Sequence, residues 1–125
     1  MALDPASQGR RNRRHGHDAE RAVARYLRDE CNFPMAITSR AALGHDGFHQ
    51  ATDVIGVPGV AIEVKSVRGL SIGSALTQCE LQATTGKLPV VVAKPIGVSL
   101  EDVGHWFAIT WMADMVRMWP KEGDL

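Results

Sequence analysis

The segment Val60-Ala61-Ile62-Glu63-Val64-Lys65 restricts the possible fold more than any other part of the chain. In an extended strand its side chains alternate, so Val60, Ile62 and Val64 share one face and Glu63 and Lys65 the other. Pro58-Gly59 just before it is a tight-turn signal, and residues 53–57 read as a second strand, so the two form a hairpin. Opposite charges two residues apart on an otherwise apolar strand are costly to bury without a partner. The hairpin can bring the Asp53 carboxylate beside Glu63, and paired carboxylates repel unless a cation sits between them.

The rest of the chain supplies a frame for this hairpin. Residues 1–14 read as a flexible basic arm, rich in Gln, Gly, Asn and Arg. From about His17 to Arg28 the pattern turns helical, with Ala19, Val23, Ala24, Tyr26 and Leu27 as the apolar stripe. Glu20 shares the face of Val23, Ala24 and Leu27, so its carboxylate either snorkels from the stripe edge or points into a functional cavity. Phe33-Pro34 breaks the helix; residues 35–40 read as a short strand and 41–51 as a mobile loop. Beyond the hairpin, 75–84 reads as a helix closed by Gly86, 89–93 as a strand that can be buried on both faces, 105–110 as a strand and 111–118 as a last helix. The predicted order is α-β-β-β-α-β-β-α, one α/β domain over 15–125 with a mixed central sheet flanked by helices.

At 125 residues the chain suits a single core and not two. No apolar run is long enough to cross a bilayer, and no apolar h-region follows the N-terminal arginines, so neither a membrane span nor a secretory signal is expected. Cys31 and Cys79 form no CxxC or Cys/His ligand spacing, which argues against a zinc module and fits a reducing cytoplasm. Net charge is zero, but its distribution is not even. Arg10, Arg11, Arg13 and Arg14 are followed by Arg21, Arg25, Arg28 and Arg40, whereas the stretch beyond Leu100 is acidic. Such a basic N-terminal third suits phosphate contacts, and it equally describes a solvated charged arm.

Oxygen ligands beside a lysine suit Mg²⁺, with Mn²⁺ as a substitute, better than zinc. They also meet the needs of phosphodiester hydrolysis, in which a metal neutralises developing charge and Lys65 orients or helps deprotonate the attacking water. Taken alone, D-x9-E-x-K is a weak pattern. A surface Asp and an exposed Glu–Lys pair on an edge strand would also produce it. The hairpin turn, the helix with an inward-leaning Glu and the upstream basic stretch tip the balance.

Ala19-Glu20-Arg21, Thr38-Ser39-Arg40, Asp53-Val54-Ile55 and Ile62-Glu63-Val64-Lys65-Ser66 together resemble the archaeal-type Holliday junction resolvases and related phage endonucleases, which have the PD-(D/E)xK, restriction-endonuclease-like fold. Pro89-Val90-Val91-Val92-Ala93-Lys94 and the Trp106-Phe107 strand are similar to the family's C-terminal half. The resemblance implies a homodimeric, Mg²⁺-dependent enzyme that nicks four-way or other branched DNA, in the cytoplasm or, if phage-encoded, in the host's cytoplasm. It implies Glu20, Asp53, Glu63 and Lys65 as the catalytic set, and Asp53, Glu63, Val64 and Glu20 as the metal shell. Arg21 and Arg40 match basic residues near the scissile phosphate, and Lys94 matches a lysine on the following strand. Thr52 stands where the superfamily often has Pro, the hairpin is short, and the 44–51 loop is longer and His-rich.

Arg10, Arg11, Arg13, Arg14 and Gln78 complete the expected DNA contacts. His45 and His49, four apart, read as loop residues and not as metal ligands. Gln82 reads as helix surface, and the Trp and Met residues of the C-terminal segment as core or dimer packing. A flap or restriction-like nuclease would use the same four residues; a DNA-binding module without cleavage is the alternative of another class.

Overall fold

The computed structural model describes residues 5–47, 51–84 and 86–124, without the side chains of 45–47. A five-stranded mixed sheet in the order β1-β2-β3-β4-β5 carries helices on its faces. Its elements are α1 (Pro5–Asp29), β1 (Ile37–Thr38), α2 (Ser39–Gly47), β2 (Val54–Ile55), β3 (Val60–Ser66), α3 (Ile72–Gln82), β4 (Leu88–Lys94), β5 (Phe107–Ile109) and α4 (Met112–Met118). Only β3 and β4 run parallel, joined by the α3 crossover; the other neighbours are antiparallel.

The face of β3 that carries Ile62 and Val64 packs on α1 through Ala19, Ala22, Val23 and Ala24. Small side chains there let the helix lie close to the sheet, and Trp106 closes the cluster while its indole N–H donates to the Ser99 carbonyl at 3.1 Å. The opposite face is covered by α3, whose Ala75 and Leu76 pack on Val91. Two covered faces explain why β4 reads as a nearly unbroken apolar run.

Several expectations require correction. Residues 5–14 are not a flexible arm: they are the first turns of α1, which begins at Pro5, a residue pre-set for a helix's first turn. Ser39 and Arg40, expected in a strand, and 41–47, expected in a loop, are helical, broken at Gly44 where φ is 76° and ψ −175°. The observed order therefore has an extra helix between β1 and β2. The first two strands are only two residues each, because Ser39 and Arg40 already turn into α2. Gly86 does not close α3, which is capped at Ala83; Gly86 instead takes φ 89° in the turn that leads into β4.

Candidate active site

The Val54–Ile62 pairing of β2 and β3, extended by one residue, sets Asp53 opposite Glu63 on the same face of the sheet. Asp53 lies just outside β2, where the ladder has ended, and its Oδ2 accepts the Val64 amide hydrogen at 2.8 Å. The carboxylate thus replaces the missing strand partner. Because a strand residue's amide and carbonyl leave by the same edge, the Val64 carbonyl also points toward Asp53. On the other side, the Ser39 amide donates to the Asp53 carbonyl at 2.9 Å, and the Ser39 hydroxyl donates to the Thr52 carbonyl. Both bonds pin the segment that carries Asp53 to the start of α2.

Glu63 is only 4% exposed. The face it shares with Lys65 is not open, as an exposed Glu–Lys pair would require, but roofed by α3. Cys79, fully buried on that helix, places its Sγ 3.4 Å from the Ala61 carbonyl on the same strand. Burial pushes Glu63 up to about 8; the charge of Asp53 and a hydrogen bond with it add to the shift, and Lys65 opposes it. Its Oε1 is buried with no hydrogen-bond partner. An orphan oxygen of this kind is expensive unless something else occupies the space before it.

Glu20 reaches the same point from α1. Burial raises it to about 7, with Asp53 adding to the shift and Arg40, Arg21 and Lys65 opposing it. Arg40, the second residue of α2, approaches to 3.9 Å from Glu20 Oε2. His17, one turn before Glu20, is lowered by burial and by the neighbouring Arg40 and Arg21. The four expected catalytic residues therefore interact electrostatically in one cluster, at the C-terminal end of β3.

Not every expected residue joins them. Lys94 lies opposite Ser66 and alternates onto the face of Val92, away from Glu63 and Lys65. Gln78 is exposed on α3, whereas Gln82, read as surface, turns its Oε1 inward with no partner. It sits at the end of α3 that leads to the start of β4, far along the strand from Lys65. Arg21 is exposed, bridges to Asp18 and borders the Glu20 recess. Arg10, Arg11, Arg13 and Arg14 are exposed on α1. His49 and the His45 side chain lie outside the described residues. Nothing in the sequence marked Cys79 as the thiol beside Glu63, because that contact depends on how the crossover helix seats.

Among the described residues, no three His, Cys, Asp or Glu side chains are disposed as a ready-made cation cage. The donors on offer are fewer and hard: the Asp53 carboxylate, the Glu63 carboxylate with its orphan Oε1, and the Val64 carbonyl edge. That set suits Mg²⁺, which typically takes one or two carboxylates and keeps water or phosphate oxygens for the remaining positions. Comparison of the chain with protein-family models, curated proteins and solved structures finds no match.

Proposed function

We propose that the chain is a Mg²⁺-dependent endonuclease of the PD-(D/E)xK fold, a Holliday junction resolvase that hydrolyses phosphodiester bonds in four-way DNA as a homodimer. The observation that carries this reading is the Asp53–Glu63 pair on adjoining segments, with a buried oxygen left without a partner and Lys65 on the same face as Glu63. Neither a packing nor a purely binding role accounts for two carboxylates set opposite one another with one of them buried. Asp53, Glu63 and the Val64 carbonyl would hold the metal, with Glu20 completing its shell. Bound there, Mg²⁺ would neutralise phosphate charge and lower the pKa of a water.

The protein's own groups have defined tasks in this reading. Asp53, held by the Val64 amide, keeps one donor fixed relative to the strand. Lys65 orients the attacking water and offsets charge at the phosphate. Arg40, held near Glu20, presents its guanidinium to the non-bridging phosphate oxygens. A four-way junction needs two symmetric incisions, and a chain with one such cluster meets that need as a dimer. The exposed apolar side chains of β5 and α4, among them Phe107, Met112 and Met118, support a second copy as the partner. The two free thiols suit action in the cytoplasm, or in a host's if the chain is phage-encoded.

The test is a nicking assay on a labelled four-way junction and on linear duplex of the same sequence, with Mg²⁺, with chelator and with Asp53→Asn. Paired, Mg²⁺-dependent cuts on the junction alone, lost in the variant, are expected. Equal cutting of linear duplex would replace the junction preference by a flap or restriction-like activity. Tight binding with no cleavage in Mg²⁺ or Mn²⁺ would leave a DNA-binding module.

A further inference from the structure

Helix α1 carries seven of the chain's 14 Lys and Arg residues against three carboxylates, on a protein whose net charge is zero. The helical geometry sorts these arginines. At 3.6 residues per turn, Arg10, Arg14, Arg21, Arg25 and Arg28 fall within about 60° of one another around the axis. All five are exposed, and the buried Ala19 and Val23 lie on the other side of the helix, with Ala22 and Ala24 flanking the row. Arg11 and Arg13 project to either side of this row. At a rise of 1.5 Å per residue the row is about 27 Å long, close to eight base pairs of duplex.

The row is continuous with the carboxylate cluster. Arg21, Arg25 and Arg28 border an open groove of about 480 Å³ whose opposite wall includes Thr38 and Ala41. A smaller recess holding Glu20 and Arg40 shares Arg21, Thr38 and Ala41 with that groove. Along the axis Glu20 is level with the middle of the row, but it projects about 80° or more around the helix from it, and Arg21 is the row member that borders its recess. Arg28 is partly engaged, donating to the Ala36 carbonyl at 3.1 Å, but Arg14 and Arg25 make no ion pair among the described residues.

We infer that the exposed face of α1 is a rail for the phosphate backbone of a duplex arm, held by Arg10, Arg14, Arg21, Arg25 and Arg28 alongside the recess that holds Glu20. Taking a nucleic acid as the ligand rests on the nuclease reading, and the length and direction of the contact come from the helix. Arg25 and Arg28 thereby join the expected DNA contacts.

The experiment measures binding of the full chain to a labelled linear duplex in chelator, by anisotropy between 50 and 200 mM salt, conditions under which counterion release is read directly. Arg14→Gln with Arg25→Gln removes two charges from the row, and Lys87→Gln with Lys121→Gln removes two exposed charges that are not on α1. The row variant should lose about 1.8 from the slope of log K against log salt, about 0.9 for each contact, and the control pair much less. Helix content and Tm should match wild type in both. Equal losses in the two pairs would reduce the effect to net charge and overturn the inference. So would an unchanged slope in the row variant, or a wild-type chain that binds anionic vesicles but not duplex. Cleavage is scored separately: a slope that falls as expected in a chain that cuts no DNA supports the rail and overturns the nuclease reading. Cutting by a chain whose slope ignores Arg14 and Arg25 does the reverse.

Discussion

Asp53 Oδ2 accepts the backbone amide of Val64 at 2.8 Å, so a carboxylate does at this point what the strand partner Val54 does two residues earlier, at Ile62. The bond couples the two halves of the D-x9-E-x-K pattern through the backbone, one residue beyond the buried Glu63.

Asp53→Asn should separate structure from activity. The amide oxygen can still accept from Val64, so Tm should move by only a few degrees. Cleavage in Mg²⁺ should fall by about 10²-fold or more, the usual scale for removing one transition-state charge contact. Thermal melts and nicking rates on the same preparation check both.

In chelator, stability should fall as pH rises. Glu63 and Glu20 titrate in the folded state near about 8 and about 7, above their ordinary value of 4.5. The folded chain therefore binds more protons than the unfolded one between those limits, and stability declines with pH across that window. It is fully present below about 4.5 and lost through about 8. Glu63→Gln should flatten the decline in Tm measured from pH 5 to pH 8.

Mg²⁺ or Mn²⁺ should reverse that decline. A cation that binds the ionised carboxylates stabilises the folded chain by mass action, more strongly at pH 8 than at pH 6. The rise in Tm on adding metal should vanish in Asp53→Asn and in Glu63→Gln. Isothermal titration with Mn²⁺ gives the same comparison without DNA.

Gly56→Ala should destabilise the chain by at least about 2 kcal/mol. Gly56 follows β2 with φ 90°, and a Cβ there would lie 1.9 Å from the Met35 carbonyl oxygen. The backbone of the β1 approach would have to move. Urea unfolding measures the loss.

Native thiol labelling should count one reactive cysteine. Cys79 is fully buried and its thiol is pushed up to about 11 by burial and by Glu63, whereas Cys31 is partly exposed. A second thiol should react only on unfolding, at a rate that follows global opening.

Much of the site was legible in the sequence because its parts are local. Alternation along residues 60–65 separates Ile62 and Val64 from Glu63 and Lys65 whatever packs above them, and the Pro58-Gly59 turn brings the segment from Asp53 alongside. The 3.6-residue period over Ala19, Val23 and Ala24 likewise sets Glu20 at the edge of a buried stripe. The first turns of α1 and the whole of α2 escaped, since residues 5–14 and 39–47 carry no apolar period and glycines interrupt both. Only the tertiary structure buried Glu63 under α3, turned Gln82 inward, sent Lys94 to the other face and brought Arg40 to Glu20. The sequence determined which side chains share a strand or helix face, because that follows from backbone geometry over a few residues. Which faces are then covered, and what carboxylates meet there, depends on contacts between segments far apart in the chain, and these are decided only when the core closes.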